Sequence, residues 1–123
     1  MTAEETVREY YEALERGDPL VPYFSEDATV KFGVGESLFG ADEIAAALRE
    51  QTRTTEDWEV SSTGLDVTER EGFAWFGDEV DLAWTDTETG QRWTFDTRWS
   101  ATLERQDGEW TFVAMHVSAP RRL

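Results

Sequence analysis

Hydrophobic and polar positions along the chain change period several times, and each change marks an element. In "TAEETVREYYEALERGD" the apolar side chains Val7, Tyr10, Tyr11 and Leu14 recur at helical spacing. Thr2 and Glu5 form a capping-box pair at the start of that helix, and Gly17 ends it. Asp18-Pro19 predicts a second, short helix through Phe24, with proline at the first helical position. The period then falls to two in "ATVKF", a strand, and "GVGESLFG" reads as a glycine-punctuated turn and short strand. "ADEIAAALREQTR" returns to the helical period, with Ile44, Ala47, Leu48 and Gln51 on one stripe.

Three long strands and a closing one follow. "WEVSSTGLDVTER" is interrupted at Gly64, where a bulge is expected. "GFAWFGDEVDLAWTD" comes next and is turned by "TETG" into "QRWTFDTRWSATLER", after which the hairpin signal "QDGE" leads to "WTFVAMHVS". Helices first and a meander of strands afterwards predict an α+β fold, a curved and largely antiparallel sheet wrapped around N-terminal helices. The length suits one domain spanning residues 1–123.

Composition narrows the partners. A net charge of -16 argues against nucleic acid and anionic membranes, because like charges repel at long range. No stretch approaches the ~20 apolar residues of a membrane span. The charged, amphipathic N-terminus is unlike a secretory signal, and with no cysteine a cytoplasmic location is expected. Lys31 is the only lysine, so abundant carboxylates go with almost no lysine, a balance suited to molar salt and hence to a halophilic origin. His116 is the only histidine, so no His/Cys metal set can form, and "DTETG" lacks the later ligands of a calcium loop. Gly33, Gly35 and Gly40 resemble a phosphate-binding loop, but Leu38 occupies the third glycine position of a dinucleotide fingerprint. No metal or cofactor is expected.

Taken in order, "VREYYEALERGD", "FSEDATVKFGVG", "FGADEIAAAL" and "DGEWTFVAMHVSAP" resemble the nuclear transport factor 2-like superfamily, in particular its SnoaL-like branch. The resemblance runs over nearly the whole chain. It implies a cystatin-like cone with an apolar pocket inside, and commonly a homodimer through the outer sheet face. The superfamily holds isomerases, dehydratases, cyclases and epoxide hydrolases beside members without catalysis, so the resemblance does not name a reaction.

Catalytic candidates follow from those relatives. The steroid-isomerase pattern puts Tyr10 at its oxyanion-donor tyrosine, but its base falls on Phe32 and no carboxylate lies between Thr97 and Leu103 for the second acid. The epoxide-hydrolase pattern, an arginine flanked by carboxylates, finds Asp96 and Arg98 on one face of one strand. His116 depends on the preceding hairpin. A two-residue Asp107-Gly108 turn pairs it with Trp99; a three-residue turn pairs it with Arg98. Alternation places Trp110, Phe112 and Ala114 on the face of His116. A likeness to the association domain of calcium/calmodulin-dependent kinase, whose pocket arginines fall on Ala101 and Val117, implies that this face is the outer one. Tyr10, Asp96, Arg98 and His116 are therefore the catalytic candidates, and Tyr10, Phe32, Trp84, Trp93, Trp99 and Met115 are the expected pocket lining. Two functions stand side by side: a cofactor-free isomerase, cyclase or hydrolase acting on a small apolar molecule, and a non-catalytic dimeric ligand-binding or assembly module.

Overall fold

The structure is a computed structural model that describes residues 1–32 and 36–119, with backbone alone at Phe32, Glu36 and Ser37. Gly33 and Gly35 of the expected turn lie outside the described residues. Helix α1 (Ala3–Arg16) begins where the sequence says it should: Thr2 Oγ1 accepts from the Glu5 N–H at 3.1 Å, and Glu5 Oε1 accepts from the Thr2 N–H at 3.2 Å. It ends at Gly17, whose φ of 73° is a conformation glycine adopts at no steric cost.

The expected helix from Asp18 to Phe24 is corrected to a single 3₁₀ turn, Val21–Tyr23, opened by Pro22 rather than Pro19. Phe24 already belongs to strand β1 (Phe24–Phe32), paired with Phe112, so sheet pairing overrides the local helix signal. Strand β2 (Glu36–Phe39) returns along β1, and helix α2 (Gly40–Thr54) follows. Then come β3 (Thr55–Ser62), β4 (Asp66–Glu69), β5 (Phe73–Asp86), β6 (Arg92–Gln106) and β7 (Glu109–Ser118). Gly64 sits in the gap between β3 and β4, so the expected bulge there is instead a break between two strands. Among the described residues no helix is long and apolar enough to cross a membrane.

The strands form one curved, unclosed sheet in the order β2-β1-β7-β6-β5-β3, with β4 also on β5. All pairs are antiparallel except β1 with β7. This is the α+β architecture expected from the pattern. Its inward face carries Val30, Phe76, Val80, Leu103 and Phe112 against Val7, Tyr10, Tyr11 and Leu14 of α1 and Ile44 and Leu48 of α2.

The β6–β7 hairpin turns on Asp107 (φ 51°) and Gly108 (φ 79°), the left-handed pair that a two-residue turn requires. That turn alone would set Trp99 opposite His116. A bulge intervenes: Leu103 pairs with Phe112 but Thr102 with Ala114, leaving Val113 extra. From there on His116 faces Ser100 and Met115 faces Ala101. The bulge also reverses which face each side chain takes. Trp110 and Phe112, expected beside His116, are buried at 5% and 0% exposure, while Ala114 and His116 are exposed.

Candidate functional site

Between α2 and the inward face of the sheet lies a cavity of about 550 Å³. α1 contributes Tyr10 and Leu14, and the last turns of α2 contribute Ala47, Glu50, Gln51 and Thr54. Thr55 and Trp58 come from β3, Leu82 and Trp84 from β5, Phe95, Thr97 and Trp99 from β6, and Val117 and Ser118 from β7.

The aromatic wall is a continuous stack. Trp58 lies on Trp84 with ring centroids 4.7 Å apart, Trp84 on Phe95 at 5.3 Å, and Phe95 on Trp93 at 6.1 Å. Two indole N–H groups are already engaged: Trp58 Nε1 donates to Thr55 Oγ1 and Trp99 Nε1 to Thr97 Oγ1, each at 2.8 Å. Thr97 Oγ1 donates in turn to the Val80 carbonyl at 2.6 Å. Satisfying the indoles through neighbouring threonines leaves their apolar rings for the cavity. Tyr10 packs edge-on against Tyr23, Phe24, Trp99 and Phe112. Burial pushes its phenol above the ordinary value, so it stays a neutral hydroxyl at physiological pH. Glu50 is the one carboxylate among the described lining residues, and it is ion-paired with Arg53 at 2.6 Å.

Of the expected lining residues, Tyr10, Trp84 and Trp99 meet in the cavity wall. Trp93 sits at the rim, 39% exposed and stacked on Phe95. Met115 is buried in the core away from this cavity. The Phe32 side chain lies outside the described residues. Trp58, Thr55 and Thr97 were not anticipated. Thr97 had a signal, because it falls in the alternation Trp93, Phe95, Thr97, Trp99. Trp58 had one as well, the alternation Trp58, Val60, Ser62; Thr55 had none, because the bulge after Glu56 puts it out of step with them.

The other candidates stand on the opposite face of the sheet. Asp96 and Arg98 are exposed, in register with Asp81 and Glu79. A hydrogen bond with Asp96, added to slight desolvation and like-charge repulsion, raises Asp81 above its ordinary value. His116 borders a shallow outer concavity with Lys31, Trp75, Thr102 and Ala114.

One buried carboxylate escaped the sequence reading. Asp78, 5% exposed, accepts from Tyr11 Oη at 2.8 Å, Ser62 Oγ at 2.7 Å and the Gly64 N–H at 3.0 Å. It is not among the cavity-lining residues and ties α1 to the β3–β4 gap. A buried charge with three donors is satisfied.

A family model described as the SnoaL-like domain matches residues 3–122. The chain belongs to the SnoaL-like domain family. Solved structures repeat the fold of this SnoaL-like domain at low identity. A ketosteroid isomerase-like protein from Erwinia carotovora atroseptica is 17% identical with a TM-score of 0.81, over 97% of this chain and 94% of that one. A nuclear transport factor 2-like superfamily protein from Salmonella enterica is 16% identical with a TM-score of 0.82, over 96% and 88%. A protein with a cystatin-like fold from Caulobacter vibrioides is 18% identical with a TM-score of 0.80, over 96% and 87%. At these identities the likeness establishes the fold alone. No curated protein matches the chain.

Proposed function

We propose that this SnoaL-like domain binds a flat, largely apolar small molecule in the cavity beneath α2. The observation that carries the reading is the cavity wall itself, where Trp58, Trp84, Phe95 and Trp99 present ring surface to about 550 Å³ of space. A volume of that size suits a ligand of a few fused rings. Tyr10 is the polar group for such a ligand, donating its hydroxyl to a carbonyl oxygen. The steroid-isomerase reaction is set aside, because the resemblance puts Phe32 where a base would be needed and general bases typically supply ~10²–10⁴-fold. A general-base step would fall to Glu50, which faces solvent and Arg53. The reading is therefore one of binding.

The test is a panel of hydrophobic ketones and polycyclic aromatics, followed by tryptophan fluorescence and thermal shift. Tyr10→Phe is expected to weaken a ketone by about 1 kcal/mol, the scale of one hydrogen bond, and to leave a hydrocarbon of equal size unaffected. No binder across the panel would overturn the reading.

Outer-face exposure favours a second, compatible reading, a homodimer through the sheet. Phe73 and Trp75, 50% and 42% exposed, stack at 5.9 Å beside the outer concavity, an apolar patch that suits a paired surface. A monomer by light scattering at micromolar concentration and high salt would exclude it.

A further inference from the structure

Strand β3 departs from regular geometry at one point. Between Glu56, opposite Thr85, and Glu59, opposite Ala83, it carries one residue more than β5, so Asp57 and Trp58 together face Trp84. Asp57 takes a φ of 53°, and among the described non-glycine residues only Asp107 shares a positive φ. Asp107 sits in a hairpin turn that demands it. Asp57 sits inside a strand where no turn does, so its left-handed backbone is held against its own preference.

The bulge changes which face the side chains take. Strict alternation sends residues three apart to opposite faces, so Thr55 and Trp58 would not meet. With the extra residue both line the cavity, Trp58 Nε1 donates to Thr55 Oγ1, and the indole lies on Trp84 with planes 23° apart. Arg92 secures the bulge from β6 without lining the cavity. Its Nη1 donates to the Asp57 carbonyl at 2.5 Å and to Thr85 Oγ1 at 3.1 Å, and its Nη2 lies 3.4 Å from Glu59 Oε1.

We propose that this bulge is the specificity element of the pocket. Arg92 and Asp57 are positioning residues that keep Trp58 flat against Trp84, so the cavity prefers planar aromatic rings to saturated rings of the same size. The ring preference rests on the pocket reading; the positioning does not, and can be read without a ligand.

Stacked indoles couple their transitions and give an exciton couplet in circular dichroism. The wild-type protein should show one, and Trp58→Leu should abolish it. Arg92→Ala and Asp57→Val should weaken it while the protein still melts cooperatively. Asp57→Gly should retain it, because glycine accepts a positive φ freely. In the ligand arm, calorimetry compares 2-naphthol with decahydro-2-naphthol. The wild type should prefer the naphthol about tenfold, from face contacts between rings. Arg92→Ala should lose that preference through the naphthol alone, a change that general loosening of the fold would not produce. A couplet untouched in both Arg92→Ala and Asp57→Val, or equal wild-type affinity for the two alcohols, overturns the proposal. Absence of binding by either alcohol, with the couplet behaving as expected, overturns the pocket reading and with it the ring preference.

Discussion

Tyr11→Phe removes one of three hydrogen-bond donors from a carboxylate that has almost no access to water. The Tyr11 hydroxyl meets Asp78 Oδ2 at 2.8 Å, and Asp78 is 5% exposed, so water cannot readily take its place. Hydrogen bonds to charged groups contribute ~1.5–3 kcal/mol, and Ser62 and Gly64 still hold the carboxylate, so the expected loss is about 2 kcal/mol. In a domain of this size that lowers Tm by roughly 8 °C, from a slope near 4 °C per kcal/mol. The neighbouring Tyr10→Phe, which removes no bond to Asp78, should cost under ~0.5 kcal/mol of stability and act on ligand binding instead. Urea titration of both variants measures the contrast. Alkaline pH supplies a second readout. Burial first, and the bond to Asp78 second, raise the Tyr11 phenol above its ordinary value of 10.0. A group whose pKa is higher folded than unfolded contributes its stabilisation in full below the unfolded value and loses it as pH rises through the folded one. Wild-type stability should therefore decline above pH ~10, and Tyr11→Phe should decline less steeply. A neutral-pH loss below ~0.5 kcal/mol, or an alkaline slope equal to the wild type's, would refute the reasoning.

The outer face gives a prediction of opposite sign. Because the bond to Asp96 raises Asp81 in the folded state, keeping Asp81 ionised works against folding above that raised value; Asp96→Asn should raise Tm at pH 7, with the gain shrinking as pH falls through the raised value and gone below the ordinary aspartate value of ~4. With 27 acidic and 11 basic residues, Tm should climb from dilute buffer to molar potassium chloride, and a flat response would count against a halophilic origin. Deleting Val113 removes the β7 bulge but leaves Met115 opposite Ala101 and Val117 opposite Trp99, both still inward in strict alternation after Phe112, so a cooperative melt should remain. Loss of that melt would count against Val113 being the extra residue.

Local chemistry made the first helix legible. Thr2, Glu5 and Gly17 act through bonds inside one turn of chain, so neighbouring residues suffice to place both ends. The long strands were legible because apolar and polar positions alternate and turn residues separate them. The short helix after Gly17 was not, because Phe24 is claimed by a partner 88 positions away, Phe112, and no local window contains that pairing. The buried Asp78 was hidden for the same reason: its partners come from α1, the end of β3 and the loop after it.

The site was half legible, and the physical reason lies in two single-residue insertions. Alternation predicts a face only as long as the pairing partner keeps step. Val113 breaks step in β7, turning Trp110 and Phe112 inward and His116 outward; the extra residue in β3 breaks step again and brings Thr55 to the cavity face that Trp58 shares with Val60. Tyr10, Trp84 and Trp99 could be placed in the wall because no bulge separates them from the features that fix their phase. Trp93 follows the same alternation and still sits at the rim, since alternation gives the face of a residue but not its depth along the strand. A bulge changes both facing and depth at the cost of one residue. Bulge positions therefore offer this SnoaL-like domain a way to reshape its pocket while the helices and strand order stay the same. That is why substitutions at Asp57 and Arg92, neither of which lines the cavity, are expected to alter what the cavity holds.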